Sequence, residues 1–265
     1  MSGIIKPPIN AQLNLDHPLA KGLVGAWLMN EGSGNLIHDY SGQNNEGTLS
    51  GFNDPPIATS GWNAGPHGGA LAFDGNNDYV DCGYKSIMNT NRITVTVWFN
   101  ANDVGIQQRG ILHRDNGVTY RSWNVVIRTS DIIVLKFKAT VQLSQTTALP
   151  YDDDLWHFMA MVNNDDDLLI YMDSKLIAGL GNGKGGNIDS FLQPLQIGRW
   201  RNTAESFPGF ISSVSIYNRA LSAEEIAYLY AFPYCMFDEP AYPAWMRKHV
   251  SAQDYYRNLL AGSDY

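Results

Sequence analysis

The 265-residue chain has little cysteine, little charge and no long apolar run. Its two cysteines, Cys82 and Cys235, are too few for a disulfide framework and lack the spacing of a zinc site or a redox pair. A single bridge between them stays open, with free thiols the expectation, because a chain of this length buries enough surface to fold without staples. Charged residues make up only 17% of the chain, the formal net charge is −8, and no Lys/Arg block occurs. That balance opposes capture of a phosphate backbone, so no nucleic acid partner is expected. Nor is a membrane span expected, since no stretch approaches 18 apolar residues. The opening residues Met1 to Pro8 lack a basic region leading into an apolar run, so no secretory signal is read there and synthesis in a cytosol is expected.

What the chain does have is 12% aromatic residues and 25 glycines, the composition of short strands joined by turns. Ile93, Val95, Val97 and Phe99 alternate with Thr94, Thr96 and Trp98 at period two. One side of that strand is a core side; the Thr-Thr-Trp side is either a binding face or the second covered side of a sheet. Further strands are expected at 123–128, 131–138, 156–162, 168–172, 175–178, 195–198 and 209–217, while the glycine-rich stretch 41–69 reads as surface loop. Ser222 and Glu225 form a capping-box pattern ahead of Ile226, Leu229 and Tyr230, and Pro233 stops the helix. A second helix is expected near 250–260. The pattern predicts an all-β, antiparallel two-sheet jelly-roll sandwich over 22–231 with one short helix near its end. An extended arm (1–21) precedes it and a C-terminal docking arm (232–265) ends the chain.

Four segments carry a family resemblance. Phe73-Asp74-Gly75-Asn76-Asn77-Asp78-Tyr79-Val80 resembles the opening turn and strand of laminin-G-like, concanavalin A-like domains, and Trp156 to Ala160 resembles one of their core strands. Leu168 to Lys175 is similar to their hairpin, with Ser174 where glycine is usual, and Gly209 to Ile226 is similar to their closing strand and helix. The resemblance implies the jelly roll. It also implies a departure: Ser212 and Ser213 replace acids that help such domains to hold structural calcium. A calcium ion would then have to draw its oxygen ligands from Asp74 and Asp78 or from the acidic runs Asp152 to Asp154 and Asp165 to Asp167; no cofactor is otherwise expected.

Glycoside hydrolases need two carboxylates about 5–9.5 Å apart, and strand enzymes place such acids two residues apart on one face. No such pattern occurs, Glu224 and Glu225 sit at the expected helix start, and His113 and His157 read as structural, so no catalytic residue is expected. Sugars are bound by flat aromatic faces and planar hydrogen-bonding groups. Arg199, Trp200, Arg201 and Asn202 offer both in one loop, with Trp62 and Trp123 as further candidates. The arms carry prolines and aromatics, among them Pro233, Tyr234, Phe237, Tyr242 and Trp245, that require docking on a partner or wrapping over the sandwich. The opening from Ile4 to Gly34 and the stretch YLYAFPYCMFDEP are similar to laminin-G-like proteins encoded among tailed-phage structural genes. This implies a non-enzymatic virion protein, a head decoration or tail-associated subunit. It would be oligomeric or docked on other virion proteins, and its outward jelly roll would bind glycans. The alternatives are a carbohydrate-binding module of a cellular surface protein and a divergent glycoside hydrolase.

Overall fold

The computed structural model describes residues 4–102, 108–115, 121–128, 131–138, 141–147, 151–188, 193–200 and 202–238. In chain order the strands are β1 (Leu23–Trp27), β2 (Leu36–Ile37), β3 (Gly47–Ser50), β4 (Gly61–Gly65), β5 (Gly68–Asp74), β6 (Tyr79–Asp81), β7 (Ile93–Asn102), β8 (Arg109–Asp115) and β9 (Arg121–Arg128). They continue with β10 (Asp131–Lys138), β11 (Val141–Thr146), β12 (Asp153–Asn163), β13 (Leu168–Met172), β14 (Lys175–Ala178), β15 (Gln196–Ile197), β16 (Arg199–Trp200), β17 (Asn202–Ser206) and β18 (Pro208–Tyr217), before the helix α1 (Ala223–Ala231).

Two sheets form. The first runs β14-β13-β12-β7-β18-β5-β4, with β1 also paired to β18; the second runs β11-β10-β9-β8-β15-β6-β3-β2. The pairing is antiparallel except for one contact of β17 with β8, Ser206 against Gly110. Ile93, Val95, Val97 and Phe99 face Ile111, Leu112, Val125, Ile127 and Ile197 in a single buried core between the sheets. This is the expected sandwich, and burial of those apolar side chains is its main support.

Several strands are not legible in the pattern. The stretch 41–69, expected as surface loop, holds β3 and β4 and leads into β5, because these polar, glycine-rich segments take their register from β6 and from each other. β8, β11 and β17 likewise lack a period-two apolar code. The expected helix is α1. Ser222 Oγ accepts the Glu225 N–H while the Glu225 carboxylate accepts the Ser222 N–H, closing the capping box. Arg219 holds the same carboxylate with both its terminal nitrogens at 2.8 Å.

The Thr94–Thr96–Trp98 side of β7 is covered. Trp98 stacks on Tyr230 of α1 at 5.6 Å between ring centroids and meets Phe158 at 5.5 Å. Around them Leu19, Leu28, Tyr40, Ile226, Tyr228, Met236 and Phe237 make a second apolar cluster. Thr94 Oγ1 donates to the Arg219 carbonyl and accepts the Leu221 N–H, tying strand to helix entry. The chain-terminal segments complete this cover. Asn14 N donates to the Met236 carbonyl, Asp238 N to the Gln12 carbonyl, and Leu13 bridges Phe237. Over their described parts both arms therefore wrap the sandwich. The remaining arm, 239–265, with the helix expected near 250–260, lies outside the described residues.

Candidate functional site

The outer side of the second sheet is built differently. Register places Val80, Ile197, Leu112 and Val125 in one cross-strand row, and all four are core residues. The neighbouring row, Thr48, Asp81, Gln196, His113 and Asn124, therefore faces outward. It is polar throughout. Thr48 is exposed and Asp81 half-buried, and the row deepens to Gln196, His113 and Asn124, which are buried.

Two glycines bring Arg199 to this row. Gly198 has φ +84° and its N–H donates to the Ile111 carbonyl, so the chain kinks between β15 and β16. The kink breaks the alternation and sets Arg199 on the side of Gln196, where Arg199 Nη2 donates to Gln196 Oε1 at 3.1 Å. A Cβ on Gly110 would lie 2.3 Å from the carbonyl carbon of Arg199 and from Trp200 N, so only glycine lets β8 pass so close beneath β16. The Arg199 guanidinium lies 3.5 Å above the centroid of the Tyr79 ring, a stacked cation–π contact. Tyr79 and Asp81 flank the core residue Val80 and so share the outer face.

The sequence-expected residues divide accordingly. Arg199 stands half-exposed on this face. Trp200 and Trp123 are buried, 4% and 1% exposed, and Trp123 lies in the inter-sheet core, so neither ring is open to a sugar. Trp62 is half-buried on β4 of the other sheet, packed against the core, with its indole N–H donating to the Gly34 carbonyl at 2.9 Å. Asn202 opens β17 opposite Trp200; Arg201 lies outside the described residues. Tyr79, Asp81 and Gln196 were missed. Their signal was available in the outward positions two residues apart around Val80, and in a polar residue one step before an apolar one in the 195–198 strand.

The acids elsewhere are occupied with structure. Asp78 is buried, a setting that raises its pKa, and its Oδ2 accepts the Asp74 N–H at 3.0 Å. Asp74 Oδ1 caps Asn76 N at 2.8 Å. Beside Ser212 and Ser213 an amine is already present: Lys6 Nζ donates to the Ser212 carbonyl at 2.6 Å and to the Gly69 carbonyl. Burial lowers its pKa to about 7 against the opposing pull of Glu31. A lysine amine among those carbonyls leaves no carboxylate cage for calcium, and among the described residues no group of three acids, histidines or cysteines is gathered for a metal. The donor set does not fit the ion. His157 is held between Asp173 (2.8 Å) and Asp153 (3.1 Å); burial opposes its charge, but these two bonds win and raise its pKa. Both ring nitrogens are engaged, which suits a strut joining β12 to the hairpin turn. Cys82 and Cys235 are free thiols, Cys82 buried, and burial pushes the Cys235 thiol up to about 12. Among the described residues no helix is long and apolar enough to cross a membrane.

A family model described as the concanavalin A-like lectin/glucanases superfamily, of laminin-G type, matches residues 74–227. The chain belongs to this family. Laminin-G-type jelly rolls share the sandwich seen here, and solved structures agree on the fold. The binding domain of Paraclostridial mosquitocidal protein 1 superposes with a TM-score of 0.64 at 16% identity, over 80% of this chain and 52% of that one. Domain 4 of AbnA, a GH43 extracellular arabinanase from Geobacillus stearothermophilus solved with arabinotriose, gives 0.59 at 14%, over 77% of this chain and 96% of that one. Trypanosoma rangeli sialidase in complex with sialic acid gives 0.58 at 15%, over 79% and 32%. The chain thus spans about half of the mosquitocidal binding domain and a third of the sialidase, but nearly all of the arabinanase domain. No curated protein matches it in sequence.

Proposed function

We propose that this laminin-G-type jelly roll is a non-catalytic glycan-binding module, with the outer face of its second sheet as the binding surface. One observation carries the reading: Tyr79, Arg199, Gln196 and Asp81 put an aromatic ring, a guanidinium, an amide and a carboxylate side by side on a sheet face, the mixture that sugar hydroxyls and sugar ring faces require. The arabinanase domain solved with arabinotriose supports the same use of the fold. A non-catalytic role is supported by the structural tasks of Asp74, Asp78, Asp153 and Asp173, whose carboxylates accept backbone N–H groups or hold the His157 ring.

The module serves, in this reading, as part of a tailed-phage virion, a head-decoration or tail-associated subunit that docks on other virion proteins. The support is the similarity of its flanks to phage structural proteins. Mass spectrometry of purified particles tests that location, and its absence from virions would return the protein to a cellular surface. The binding reading is tested on a glycan array. Tyr79→Ala and Arg199→Ala should each abolish the signal, whereas an array without signal, or release of reducing sugar by the purified protein, would overturn it.

A further inference from the structure

The arginines with described partners have different fates. Arg92 and Arg219 grip the carboxylates of Asp165 and Glu225, and the buried Arg114 donates to the carbonyls of Met88 and Lys85 and to Asn89 Oδ1. Each has at least two oxygen acceptors. Arg199 does not: it has a single neutral acceptor, Gln196 Oε1, its Nε is buried with no partner, and among the described residues no carboxylate lies within ion-pair distance. Its plane is nonetheless fixed, by the Tyr79 ring below and by the Gln196 amide beside it. A guanidinium held flat, half-exposed and under-supplied with acceptors is prepared for a planar anion that takes two of its N–H groups at once.

We infer that the glycan bound on this face carries a carboxylate, which Arg199 takes as a fork while Asp81 and Thr48 meet neighbouring hydroxyls. The inference rests on the glycan-binding reading above and narrows it to acidic sugars such as uronic or sialic acids. Two features narrow the class of ligand. The row beside Arg199 is polar from Thr48 to Asn124, which suits hydroxyl groups better than apolar peptide side chains. The net charge of −8 also disfavours polyanions, so a short oligosaccharide with an isolated carboxylate fits better than a densely sulfated chain.

Matched ligands test this: sialyllactose against lactose, and trigalacturonate against its methyl ester, titrated calorimetrically and placed on the same array. The expected result is that at least one acid binds about tenfold to a hundredfold tighter than its neutral match, as a charge-assisted fork implies. Arg199→Gln should erase that preference and Arg199→Lys keep part of it, with both variants retaining the parent's melting temperature. Equal binding of acid and neutral match, or a preference that survives Arg199→Gln, overturns the inference and leaves the glycan reading standing. So does a signal confined to neutral glycans. An array with no signal at all overturns the glycan reading itself, and capture of carboxyl-terminal peptides in place of sugars overturns both.

Discussion

On the outer side of the first sheet Thr94, Thr96 and Trp98 lie beneath α1 and the two chain-terminal segments, whereas the outer side of the second sheet carries Thr48, Asp81 and Arg199 at least partly in the open. Both sheets spend their inner residues on the same core. The outer faces differ because of the segment beyond the last strand: after β18 the chain turns at Asn218 to Leu221, caps a helix and lays Tyr228, Leu229 and Tyr230 on the nearer sheet. Thr and Trp on a strand do not by themselves mark a binding face. The residue that distinguishes the two is an arginine or tyrosine left without a full set of partners.

The contrast has measurable consequences, largest first. Trp98→Ala should cost about 3–5 kcal/mol in chemical denaturation, because it empties a stacked site under the helix. Arg199→Gln, on the other face, should change stability by about 0.5 kcal/mol or less. Equal losses would mean that both faces are sealed.

Lys6 belongs to the covered side and gives it a pH dependence. Its folded pKa of about 7 lies below the ordinary lysine value of 10.5, so its seat favours the neutral amine. That contribution is fully present above the unfolded value and is lost as pH falls toward 7. Lys6→Met should therefore remove a loss on the order of 2–4 kcal/mol seen in the parent between pH 10 and 7, read from denaturation at both values. An unchanged slope would show that the amine is not buried in solution.

Gly110→Ala should cost about 1–3 kcal/mol by pushing β16 from β8, and should weaken glycan binding more than Trp62→Ala does. The reverse order would move the binding surface to the Trp62 side. The smallest effect is a gain that touches neither face: Ser174 holds φ +69° in the β13–β14 turn, and Ser174→Gly should raise stability by about 1 kcal/mol.

Where burial has a period, the chain was readable. Ile93 to Phe99, the capping box at Ser222 and the family segments announced the sandwich and its helix, because each rests on local chemistry. β3, β4 and β8 were not readable, since their register is imposed by partners distant in sequence. At the candidate site, Arg199 was legible as a cation beside an aromatic, but the aromatic that matters is Tyr79, far away along the chain, and not its neighbour Trp200. Sequence adjacency located the strand; only register and the Gly198 kink decide which side chain faces outward.

The pairing of Gln12 with Asp238 fixes a direction as well as a contact. It gathers the beginning and end of the folded unit on one back surface, behind the first sheet, while Tyr79 and Arg199 look the opposite way. An attachment made at Gln12 or Asp238 would hold the module from the rear, so several copies fixed there to a common scaffold would all point their Arg199 faces away from it, the arrangement in which the proposed glycan contacts would multiply.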